Sequence, residues 1–121
     1  MFLDVTARRN PKLIKAAVEL HRKGLVLPDT YILDIDMIER NTLSLVRDAE
    51  KHGIQLFYMT KQFGRNPYIA QKIHDAGIEK AVVVDFKEAL IMMEQGLPLG
   101  NVGHLVQIPQ HLLKRIMLYG T

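Results

Sequence analysis

The chain has 121 residues, enough for one small domain or a piece of a larger one. Hydrophobic residues make up 48% and charged residues 24%, the balance of a globular chain and not of a disordered one. The formal net charge is +3, but the basic residues are scattered, so no stripe for nucleic acid forms; cysteine is absent, which excludes disulfides and thiolate metal sites. No apolar run reaches membrane-spanning length, and the first ten residues lack the apolar core of a signal peptide, so a cytoplasmic protein with no membrane or nucleic-acid partner is expected.

The first element is a helix over 11–23. Asn10 is its N-cap, Pro11 suits its first position, and Leu13, Ile14, Ala17 and Leu20 share a face. Tyr31–Asp36 alternates as a strand. Asp36, with Glu39 three residues on, then reads as the cap of a second helix whose face is Ile38, Thr42, Leu45 and Ala49. A short apolar strand over 55–60 delivers Lys61 to its end, and Asn66-Pro67 opens a helix with Ile69, Ala70, Ile73 and Ala76 inward. Ala81–Asp85 is a β-branched strand of the kind buried on both faces, followed by a helix over 87–95. His104–Ile108 reads as a fourth strand, and Pro109 starts a last helix with Leu112, Leu113 and Ile116 on one face. Helices repeatedly stop at a glycine followed by an aliphatic residue: Gly24-Leu25, Gly53-Ile54, Gly77-Ile78 and Gly96-Leu97.

This rhythm predicts an α/β fold, with an N-terminal helix and turn over 1–29 and four βα units over 30–121. An open doubly wound sheet and a (β/α)8 barrel both accommodate it. The short regular units favour the barrel, here its first four strands only, a half-barrel of the TIM type. The chain stops one residue after Gly120, where a fifth strand would begin, so a piece of a longer chain is expected. Four strands alone would leave two unpaired edges and a bare face prone to self-association.

Lys61 is the main candidate for chemistry. In parallel α/β folds, ligands bind at the C-terminal strand ends. An amine desolvated there by Met59 and Phe63 can attack a carbonyl; a solvated loop lysine is the plainer reading of the same position. Asp34 and Asp36 point to one side of their strand, and Asp34, if buried, either needs a partner or serves catalysis. Asp85 ends its strand as a site residue or as a helix cap. On the fourth strand Gln107 lies nearer the mouth than His104. Gly64-Arg65-Asn66-Pro67 is either an anion-binding turn or an ordinary strand-to-helix turn. The histidines show no metal-ligand spacing, and no nucleotide-binding or serine-hydrolase motif occurs.

Three segments together resemble the N-terminal barrel half of the fold-type III pyridoxal phosphate enzymes, the alanine racemase N-terminal domain group. They are Tyr31–Asp36 with Ile38 and Asn41, Phe57–Lys61, and Val83–Ala89. Residues 59–67 and 103–109 are similar to strings carried by a branch of predicted amino-acid racemases within that group. The resemblance implies that Lys61 forms the imine with pyridoxal 5'-phosphate and exchanges the α-proton of an amino-acid substrate, in a homodimer. It makes Arg65, Asp85, Gln107 and Asp34 the further cofactor-binding candidates. Arg65 stands where alanine racemases proper have a phosphate-contacting tyrosine, so a different substrate is implied. None of Tyr31, Tyr58, Tyr68 or Tyr119 matches the tyrosine that relatives use as the second acid/base. The implied function is a racemase or epimerase, with this piece alone inactive. A pyridoxal phosphate carrier without turnover, decarboxylase or aldolase chemistry, and a ligand-free self-associating half-barrel are the alternatives.

Overall fold

A computed structural model describes residues 2–103 and 106–119, which divide along the chain into two units, the first ending at Asp34 and the second beginning at Ile35. The first unit holds α1 (Phe2–Arg9) and α2 (Pro11–Arg22). Asn10 caps α2: its side-chain oxygen accepts from the Leu13 N–H at 3.1 Å, and Pro11 fills a position where no N–H is needed. The amide nitrogen of the same side chain donates to Asp34 at 2.6 Å. The short helix α1, absent from the reading above, carries Asp4 in its first turn and Arg8 and Arg9 in its last, matching the helix dipole at both ends.

The second unit begins with α3 (Ile35–Lys51). It continues through β1 (Phe57–Met59), a 3₁₀ turn (Thr60–Phe63), α4 (Pro67–Asp75), β2 (Lys80–Val83), α5 (Phe86–Glu94), β3 (Leu99–Val102) and α6 (Gln110–Tyr119). The strands form one parallel sheet in the order β1-β2-β3, with Tyr58 opposite Ala81 and Val83 opposite Val102. One sheet face carries Tyr58, Ala81, Val83 and Leu99. It packs with Ala70 of α4, Ala89 and Met92 of α5, and Ile116 of α6 to make the core. The other face is open: Phe57 is exposed, and its ring lies where a side chain at Gly100 would sit. α3 lies against α4, joined by a 3.0 Å ion pair from Lys72 to Glu39.

The half-barrel of four strands is overturned. The described residues hold six helices and three strands, and the alternation of strand and helix occurs three times. Residues 31–34 have no regular structure, and α3 starts at Ile35. A strand exists only where a neighbour takes its N–H and C=O groups, and the alternation of Tyr31–Asp36 finds none in the sheet. Asp36 is therefore inside the first turn of α3 and not its cap. The last strand among the described residues is Leu99–Val102, where the backbone pairs with Ala81–Val83. His104 and Leu105 lie outside the described residues, and Val106–Pro109 is not a strand.

Each glycine stop closes in the same way. The N–H of Leu25, Ile54, Ile78 and Leu97 returns to the carbonyl of Leu20, Ala49, Ile73 and Met92, at 3.0, 3.0, 3.3 and 3.0 Å. Gly77 is the tightest of the four: at φ +109° a Cβ would sit 3.2 Å from Val46 Cγ1. Gly77→Ala is expected to lose about 1–2 kcal/mol, seen as a lower urea midpoint, because both the backbone and Val46 must yield. An unchanged midpoint would remove the constraint.

Tyr58 is a second pressure point. It is 5% exposed, and among the described residues its hydroxyl has no hydrogen-bond partner. Burial, and then the nearby Tyr119, push its pKa from 10.0 up to about 12. The neutral phenol belongs to the folded state, so this stability is fully present below pH 10 and is lost as pH rises toward 12. At about 1.4 kcal/mol per unit, roughly 2–3 kcal/mol is at stake. Tyr58→Phe is expected to be at least as stable as the parent at pH 8, and to abolish this part of the alkaline loss in denaturation curves at pH 9–12.

Candidate functional site

Three strand ends meet at the C-terminal edge of the sheet, and Lys61 lies there, in the 3₁₀ turn directly after β1. Its side chain is exposed, between the half-buried Met59 and Phe63. The turn then reverses through two left-handed residues, Gly64 at φ +65° and Arg65 at φ +60°. Glycine takes that conformation freely; a side-chain-bearing residue pays a strain of about 1–2 kcal/mol. The Arg65 N–H donates to the Thr60 carbonyl at 3.0 Å, which closes the turn.

The turn is not an anion nest. The N–H groups of Gly64, Arg65 and Asn66 donate to the carbonyls of Lys61, Thr60 and Phe63. At the start of α4, the Asn66 side chain accepts from Tyr68 at 2.9 Å and Ile69 at 3.4 Å. The backbone donors that would cradle a phosphate are thus directed inward. What the turn offers outward is the Arg65 side chain, 46% exposed.

Beneath the turn lies Glu88 of α5, fully buried. One carboxylate oxygen accepts from the Thr60 hydroxyl at 3.2 Å and from the Val84 N–H at 2.7 Å; the other accepts from Arg65 Nε. Thr60 itself is fully buried. A single carboxylate therefore ties the end of β1, the end of β2 and the reversing turn together. Asp85 caps α5, accepting from the Glu88 N–H at 2.9 Å, which sets Glu88 at the third helical position.

Of the residues singled out in the sequence, Lys61, Arg65, Asp85 and Gln107 lie at the same end of the sheet. Gln107 is exposed, in the segment after β3, beside Val106, whose N–H donates to Val84 at 3.3 Å. Asp34 belongs to the first unit, where Asn10 binds it. Glu88 and Thr60 were not singled out. The signal for Glu88 was present: it stands three residues after Asp85, as in a capping box, yet shares the inward stripe of Ala89 and Met92. A charge on a buried stripe requires partners.

A cavity of about 150 Å³ lined by Val46, Leu56, Gly77 and Lys80 lies at the opposite, N-terminal end of the strands, away from Lys61. Among the described residues no group of histidine, aspartate and glutamate could hold a metal ion, and no helix is long and apolar enough to cross a membrane.

No family model matches the chain. Over all its 121 residues the chain is 45% identical to the uncharacterized protein YhfX of Escherichia coli (strain K12), and it spans 31% of that protein's length.

Glu88→Ala is expected to cost at least about 2 kcal/mol in chemical denaturation, because Thr60 and Val84 lose a buried acceptor. Lys61→Ala, on an exposed side chain, is expected to stay within about 0.5 kcal/mol. Equal effects of the two substitutions would show that the carboxylate does not hold the turn.

Proposed function

We propose that the chain is the lysine-bearing part of a pyridoxal phosphate-dependent enzyme of the racemase or epimerase kind, acting at the α-carbon of an amino acid. The observation that carries this reading is the position of Lys61 at the C-terminal end of a parallel strand, in one turn with Arg65. The resemblance of residues 59–67 to the racemase branch supports the same assignment.

The residues present suit the cofactor. A primary amine for its aldehyde and a half-exposed guanidinium for its phosphate stand four positions apart. When bound, pyridoxal phosphate supplies that aldehyde and a ring that withdraws electrons from the amino acid's Cα. Lys61 Nζ holds the cofactor and, once displaced by the substrate amine, takes or returns a proton at Cα on its own side. Arg65 binds the phosphate. Gln107, exposed at the same end, is available to the ring or to the substrate carboxylate. A second proton-transfer group on the opposite side, a homodimeric assembly and a cytoplasmic setting belong to the same proposal.

Incubation with pyridoxal phosphate, borohydride trapping and peptide mapping test it. The expected result is a phosphopyridoxyl group on Lys61, missing from Lys61→Ala. Label spread evenly over the other lysines, with none preferred at Lys61, would overturn the reading.

A further inference from the structure

We infer that Glu88 is the positioning residue of the Lys61 site, and that it acts by turning the outer edge of the Arg65 guanidinium toward a phosphate monoester. The inference rests on the reading of Lys61 as the pyridoxal phosphate lysine.

A guanidinium has five donors in one rigid plane. When its Nε is held by the buried Glu88 carboxylate, the plane is fixed and the edge formed by its two terminal nitrogens faces away from the carboxylate. The Arg65 side chain is 46% exposed while that of Glu88 is 0% exposed, so Arg65 keeps access to solvent while Nε is held by a buried partner. The same carboxylate binds the Thr60 hydroxyl, and Thr60 precedes Lys61. The amine and the cationic edge are therefore set relative to one another by a single group.

The backbone points the same way. Arg65 holds φ +60°, a conformation that glycine would adopt without strain, directly after Gly64 at φ +65°. A purely structural reversal would be met by a second glycine. A side chain kept in a strained left-handed position marks a place where the side chain itself is wanted. With the turn's own N–H groups directed at Lys61, Thr60 and Phe63 carbonyls, the guanidinium edge is the donor that the turn presents outward.

The test compares two aldehydes that differ only in the phosphate, pyridoxal phosphate and pyridoxal. Trapping at Lys61 is measured against concentration in the unaltered chain, in Glu88→Gln and in Arg65→Lys. Gln keeps an acceptor for Thr60 and Val84 but removes the charge that holds Arg65 Nε; Lys keeps a positive charge without the planar edge. The unaltered chain is expected to favour pyridoxal phosphate at least tenfold, the equivalent of one charge-assisted hydrogen bond by about 1.4 kcal/mol per decade. Both variants are expected to lower that ratio to about threefold or less, with trapping of pyridoxal at Lys61 retained. A general weakening of the fold would lower both aldehydes together. A ratio in Glu88→Gln equal to that of the unaltered chain overturns the inference and leaves the Lys61 reading standing, as does a lack of preference in the unaltered chain. Failure of both aldehydes to reach Lys61 in the unaltered chain overturns the two together. If circular dichroism shows that Glu88→Gln does not fold, Arg65→Lys, altered at a half-exposed side chain, decides on the same criterion.

Discussion

A carboxylate taken out of water has to be met by donors, and Glu88 is met by three: a hydroxyl from the end of β1, an N–H from the end of β2, and the Arg65 guanidinium. Each donor comes from a different stretch of chain. The partners constrain one another, since moving any of them leaves a buried charge short of a bond. The reversal that carries Lys61 is held in place by this demand more than by its own backbone preferences, which at Arg65 run against it. The helix cap at Asp85 completes the arrangement by fixing where α5 begins, and so where Glu88 enters the core.

Much of the local structure was legible because it depends on neighbours in sequence. Asn10-Pro11 and Asn66-Pro67 start α2 and α4 as their chemistry dictates, through side-chain oxygens that accept from the first-turn N–H groups. Gly77-Ile78 and its counterparts end helices through bonds that span only five residues. Such signals act within a turn or two and need nothing from the rest of the chain.

What was not legible depends on distant partners. Tyr31–Asp34 alternates as a strand does, but its backbone has no place in the sheet order β1-β2-β3. Leu99–Val102 contains Gly100 and Asn101, poor strand formers, yet it pairs with Ala81–Val83, while Val106–Ile108 forms no strand. The partners of Glu88 were hidden for the same reason: Thr60 and Arg65 lie 28 and 23 residues away. Of the candidate site, the lysine could be found from its position after an apolar strand. For the group that orients its surroundings, the sequence marked a charge on an inward stripe but not which residues meet it.

The open face of the sheet carries a different kind of record. Phe57 on β1 reaches over Lys80 to lie against Gly100 on β3, in space that any side chain at position 100 would occupy. A side chain cannot be added at 100 without displacing the Phe57 ring. A side chain at 100 would require a smaller or displaced residue at 57, whereas glycine at 100 leaves room for the aromatic ring at 57. The contact thus couples positions 57 and 100 across two strands that are not neighbours in the sheet.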